Sequence, residues 1–125
     1  AYVLDAETAG AKPTAVIIAT GSEVHLAVAA KRLLKEKGAG LRIVSAPCWD
    51  AFERQDDEYK QQVLPTGVKR CTIEVGITLP WRAVTGLDGL CLGHDDFGMS
   101  APAEQIQEAI GLTPEAVAAS LASWL

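Results

Sequence analysis

Apolar and polar positions along this chain fall into two alternating rhythms. Ala15-Val16-Ile17-Ile18-Ala19, inside Thr14 to Thr20, is a continuous apolar run with β-branched residues, the signature of a strand buried on both faces. Gly21 and Ser22 interrupt it, and Thr20-x-x-Glu23 offers a capping box for a helix from about Ser22 to Lys37. Val24, Ala27, Val28, Ala30 and Leu34 line one face of that helix, and Gly38 to Gly40 stop it. A strand at Leu41-Arg42-Ile43-Val44-Ser45 ends before Pro47, which lacks a ladder donor. Asp50 to Val63 reads as one or two short polar helices, and Val68 to Val75 as another strand, followed by Gly76. A helix at Pro80 to Thr85 and a short strand at Leu87 to Leu92 come next. Pro102 starts a helix that Gly111 ends; Thr113-Pro114-Glu115 starts the last one, with Thr as cap and Pro in the first turn. Tyr2-Val3-Leu4 forms a short strand at the beginning.

Strands alternating with crossover helices imply an α/β fold, a mostly parallel sheet in three layers, although strand order does not follow from the pattern. The length suits one domain over residues 1–125, with neither a repeat nor a long linker. The apolar runs fall far short of the roughly 20 residues needed to cross a bilayer. Ala1-Tyr2-Val3-Leu4-Asp5 does not resemble a signal peptide, and its first residue is not Met, so a truncated or processed chain is expected.

Charge narrows the partners. A net charge of −5 without a basic cluster argues against nucleic acid and against anionic lipid. Lys31, Arg32, Lys35 and Lys37 are expected on the solvated face and end of one helix. Cys48, Cys71 and Cys91 are odd in number and widely spaced, which fits reduced thiols in the cytoplasm. Cys71 and Cys91 are expected in the core and Cys48 in a loop, while His25 and His94 share no zinc-binding spacing with them. A structural metal is therefore not expected.

Tests for chemistry mostly fail. Thr20-Gly21-Ser22-Glu23 has one glycine where a dinucleotide turn needs three, and no P-loop pattern occurs. Ser22, Ser45 and Ser100 lack a nucleophile elbow, and His25 reads as a surface or boundary residue. Asp95-Asp96 reads as a solvated loop pair. One constellation remains at the carboxyl ends of the strands: Gly21, Ser22 and Glu23, then Asp50, then Glu74 and Gly76. A carboxylate such as Glu74 at the end of an apolar strand needs a partner. Either it bonds to a helix N-terminus or backbone amides nearby, or it belongs to a small-ligand site.

The motifs resemble the C-terminal domain of the transketolase family. Ala19-Thr20-Gly21-Ser22-Glu23-Val24 with Leu26-Ala27-Val28 is similar to that domain's first crossover. Val44-Ser45-x-Pro47, Asp50-x-Phe52-x-x-Gln55-Asp56, Tyr59 and Val63-Leu64-Pro65 follow in the family's order. Glu74 with Gly76, then Phe97-Gly98-x-Ser100-Ala101-Pro102-Ala103, complete the series over essentially the whole chain. Departures occur at Cys48-Trp49, at Val75 and across Ile77 to Trp81. The Phe97 to Pro102 stretch fits transketolase better than deoxyxylulose-phosphate synthase or the E1 components of 2-oxoacid dehydrogenases.

The resemblance implies a five-stranded mixed sheet in the order 1-3-2-4-5 with strand 1 antiparallel. It also implies a cytoplasmic homodimeric parent that moves a two-carbon ketol unit between sugar phosphates, using thiamine diphosphate and a divalent metal such as magnesium. That family's metal signature runs from Gly-Asp-Gly to an asparagine; Gly86-Leu87-Asp88-Gly89 imitates it poorly, and the chain has no asparagine. No catalytic, cofactor-binding or metal-binding role therefore transfers to any residue here. The expected role is structural: supporting upstream domains and the dimer, with Trp49, Trp81 and Trp124 as contact points or core residues. The rival reading is a regulatory module binding an anion or nucleotide at Gly21, Ser22, Glu23 and Glu74; a third is a free-standing hydrolase.

Overall fold

A five-stranded sheet runs through the middle of the computed structural model, which describes residues 1–125. Its strands are β1 (Tyr2–Asp5), β2 (Ala15–Ala19), β3 (Leu41–Ser45), β4 (Lys69–Ile73) and β5 (Leu90–Leu92), in the order β1-β3-β2-β4-β5. β1 pairs antiparallel with β3, and the remaining pairs are parallel. Order and polarity are those implied by the family resemblance. The helices are α1 (Glu23–Leu33), α2 (Trp49–Glu53), α3 (Asp57–Val63), α4 (Arg82–Thr85), α5 (Ala103–Ala109) and α6 (Pro114–Trp124). None is long and apolar enough to cross a membrane.

Successive strand side chains point to opposite faces, so β2 feeds two cores at once. Ala15, Ile17 and Ala19 pack with Leu26, Ala27 and Ala30 of α1 and with Val117 and Leu121 of α6. Val16 and Ile18 join Phe52 of α2, Val63 of α3 and Leu64 on the other face. The registers set Ile17 between Ile43 and Cys71, all fully buried, which makes β2 the anchor of the domain. Each large apolar side chain buried this way contributes about 1.5–3 kcal/mol.

Several element ends differ from expectation. α1 stops at Leu33 rather than Lys37, because Lys35 takes φ = 51° and the chain continues as a short 3-10 turn over Lys35–Gly38. The capping box does not form. Ser22 is the N-cap, without a side-chain capping bond, and its hydroxyl donates to Glu23 Oε1 (2.6 Å). β5 begins at Leu90, after Leu87 is left fully exposed in the preceding turn. The 50–63 region is two helices, and Asp56 caps the second by accepting from Tyr59 N–H (2.8 Å). α6 starts as expected, with Thr113 Oγ1 accepting from Ala116 N–H (3.2 Å) and Pro114 in the first turn.

Two charge and thiol readings also change. Lys31 is not solvated: its Nζ donates to Asp5 Oδ1 (3.0 Å) and to the Ala6 carbonyl (2.6 Å), tying the end of β1 to α1. Cys71 is buried and Cys48 exposed, as expected, but Cys91 is only half-buried because β5 is an edge strand.

Candidate functional site

The carboxyl ends of β4 and β5 lead into two loops that are bound to each other. Glu74 N–H donates to the Leu92 carbonyl (3.0 Å), and His94 N–H donates to the Gly76 carbonyl (2.9 Å), so pairing continues past both strands. Asp95 closes the join. Its Oδ1 accepts from Thr78 N–H (2.6 Å) and its Oδ2 from Thr78 Oγ1 (2.8 Å). The bond from the Thr78 backbone, then that from its hydroxyl, holds the Asp95 carboxyl below the usual carboxylate range. Asp95 is therefore a clasp, while it and Asp96 are both exposed, as expected of a solvated loop pair. Asp96 instead accepts from Phe97 N–H (2.7 Å). His94 Nε2 lies 2.9 Å from the Phe97 carbonyl, an acceptor only, so that nitrogen carries the proton.

This bound pair of loops presents apolar side chains to solvent. Phe97 is 91% exposed, Leu79 70% and Ile77 59%, with Val75 and Met99 nearly half exposed. Ile77 and Phe97 line one shallow depression with Asp95 and Asp96. Ile77 and Phe97, exposed around one depression on loops held this firmly, are more informative than apolar residues scattered singly.

Beside the patch lies a hollow of about 470 Å³ lined by Trp49, Glu74, Ile77, Pro80, Trp81 and Val84, with Gly76. Trp49 meets Trp81 edge-on, with centroids 5.6 Å apart and planes at 77°, and meets Phe52 at 5.2 Å. The three tryptophans are thus half-buried: Trp49 and Trp81 form an aromatic wall, while Trp124 packs at the end of α6 with its indole N–H donating to the Asp88 carbonyl (2.9 Å). Glu74 is half-buried, and its carboxylate neither accepts a hydrogen bond nor pairs with a cation of the chain. The expected bond to a helix N-terminus or backbone amide is absent. A wider groove of about 730 Å³ adjoins, sharing Trp49, Pro80 and Val84. On its floor Arg70 bridges the carbonyls of Val84 and Leu64 (both 3.2 Å).

The other sequence-derived residues stand apart. Gly21, with φ = 46°, turns the chain out of β2, and Gly21 and Ser22 are exposed, whereas Glu23 is 6% exposed. None of these three lines a cavity with Glu74. Asp50 is exposed on α2. Asp88 follows the fully exposed Leu87, and nowhere do three His, Cys, Asp or Glu side chains converge as metal ligands. Without an asparagine either, these residues do not fit a metal-held diphosphate. Sequence reasoning missed the Asp95 clasp and the exposed loop face. Apolar Ile77, Leu79 and Phe97 in stretches outside any helical or strand rhythm were the available signal.

Comparison with known proteins gives a consistent result. Residues 1–113 match the family model described as the transketolase-like TK C-terminal domain. The transketolase of Aquifex aeolicus is 48% identical over 119 residues, covering 94% of this chain and 17% of that protein. The chloroplastic transketolase of Craterostigma plantagineum is 43% identical over 120 residues, 95% of this chain and 23% of the relative. Among solved structures, a transketolase from Pichia stipitis in complex with sedoheptulose-7-phosphate superposes with TM-score 0.84 at 37% identity, covering 98% of this chain and 17% of that one. The Leishmania mexicana transketolase gives TM-score 0.81 at 35% identity, covering 92% of this chain and 16% of that one. The chain spans less than a quarter of the length of these relatives.

Proposed function

Since this chain belongs to the transketolase-like C-terminal domain family, we propose that it serves a longer transketolase as a non-catalytic assembly domain. In this reading the parent transfers a two-carbon ketol unit between sugar phosphates, and the sugar phosphate bound in the Pichia stipitis relative supports that substrate class. Thiamine diphosphate with a divalent metal such as magnesium would supply the carbanion chemistry, held entirely by residues outside these 125. The parent is taken to be a cytoplasmic homodimer, and the isolated domain to be inactive.

The observation that carries the reading is the exposed apolar face of Ile77 and Phe97, held in place by the Thr78–Asp95 clasp. A preformed face needs little ordering when it docks, so burying it yields net affinity. Burying Ile77 and Phe97 contributes about 1.5–3 kcal/mol each, whereas a carboxylate placed there resists burial. The test is Ile77→Asp with Phe97→Asp in the full-length polypeptide. The expected outcome is a smaller dimer fraction and a lower Tm, while the same changes leave the Tm of the 125-residue chain within a few degrees. An unaltered full-length protein would refute the assembly role.

A further inference from the structure

We propose that the hollow between Trp49, Trp81 and Glu74 receives a basic side chain, arginine or lysine, from the part of the polypeptide outside these 125 residues. The proposal rests on the assembly reading above and adds a specific anchor to it.

Glu74 supplies the first argument. The residue is half-buried beside an apolar wall, and nothing in the chain pairs with its carboxylate. No Lys, Arg or His lines the hollow. Arg70 is held in the adjoining groove by the carbonyls of Leu64 and Val84, and Arg82 lines a separate depression beside Asp95. An anion placed in this hollow would be repelled by Glu74, its one charged lining residue.

The wall supplies the second. Trp49 and Trp81 present indole surface, and tryptophan is the best aromatic partner for a cation. Ile77, Pro80 and Val84 add apolar surface suited to the aliphatic stem of arginine or lysine.

Position supplies the third. Ile77 belongs both to the hollow and to the exposed apolar face. Docking over that face covers the mouth of the hollow and takes Glu74 out of water. A desolvated carboxylate is tolerated only with an opposite charge and hydrogen bonds, so the docking surface must bring a cation with it. Arginine is enriched in such interfaces.

The experiment follows the three indole N–H signals by NMR while the 125-residue chain is titrated with N-acetyl-arginine methylamide. Trp49 and Trp81 should shift saturably while Trp124, which does not line the hollow, stays put. Glu74→Gln, which breaks no hydrogen bond of the chain, should weaken binding about tenfold. N-acetyl-norleucine methylamide, an uncharged stem, should bind at least as weakly as the probe does to that variant. The full-length polypeptide labelled with 5-fluorotryptophan should show no probe-dependent shift at Trp49 or Trp81, because its own side chain fills the site. Absence of any shift in the 125-residue chain overturns the proposal, as does binding indifferent to Glu74→Gln or to the probe's charge. Equal shifts in the full-length protein would point to a free organic cation instead and overturn the own-chain occupant. If Ile77→Asp with Phe97→Asp loosens assembly but the titration fails, docking stands and only the basic anchor falls.

Discussion

Gly93→Ala tests whether the two loops at the carboxyl end of the sheet are as closely joined as their hydrogen bonds indicate. A Cβ on Gly93 would lie 2.6 Å from the Gly76 carbonyl oxygen, 3.0 Å from the Glu74 carbonyl oxygen and 3.0 Å from Thr78 Cγ2. The first approach is about 0.8 Å inside ordinary contact, and two of the three atoms are backbone that cannot rotate aside. Relief requires the β5 exit to move away from residues 74–76, stretching the bond from His94 N–H to the Gly76 carbonyl. Overpacking of this kind costs about 2–3 kcal/mol, which lowers the Tm of a domain this size by roughly 10 °C. Gly98→Ala is the matched control. Nothing lies within 4 Å of its Cβ position and its φ is not in the left-handed region, so the reduced entropy of the unfolded chain should leave stability unchanged or slightly higher. Urea denaturation of both variants, checked for a constant m-value, measures the difference directly. If Gly93→Ala falls within about 0.5 kcal/mol of Gly98→Ala, the loops are not packed as described and the preformed docking face loses its support.

Three further outcomes are expected. Thr113→Ala removes the side-chain cap of α6 and should cost about 1 kcal/mol by chemical denaturation, whereas Thr113→Ser should restore most of it. Leu121→Ala leaves a cavity where α6 meets α1 and β2 and should cost about 2–5 kcal/mol; a smaller loss in calorimetry would mean that α6 is loosely docked. The Asp95 carboxyl is depressed in the folded state, so the clasp contributes above the ordinary carboxylate value and is lost only as pH falls through its own lower one. The Thr78 amide signal should therefore hold its position through the range where exposed carboxylates titrate; movement together with them would contradict the clasp.

Much of the fold was legible because its signals are local. Ala15 to Ala19 can hardly be anything but a doubly covered strand, and Thr113-Pro114 marks a helix start through its own side chain and ring. The end of α1 was less legible, since Lys35 adopts a left-handed backbone that nothing in its neighbourhood announces. The capping box failed for a related reason. Glu23 is drawn into a buried position beside Ser22, so it does not reach back along the helix.

The candidate site divides in the same way. Glu74 stood out in the sequence because a carboxylate ending an apolar run needs a partner or water, and the structure gives it no partner within the chain. Its companions were not readable. Trp49 and Trp81 are 32 positions apart, and Thr78 and Asp95 are separated by 17. Only the β3-β2-β4-β5 order carries those loops to one edge. Sequence alone determined which residues must be buried and the rhythm of strand and helix, because burial and backbone preference act over a few neighbouring positions. The tertiary structure alone decided which loops meet, what faces solvent and which charge lacks a partner, because those depend on distances through space between residues far apart in the chain.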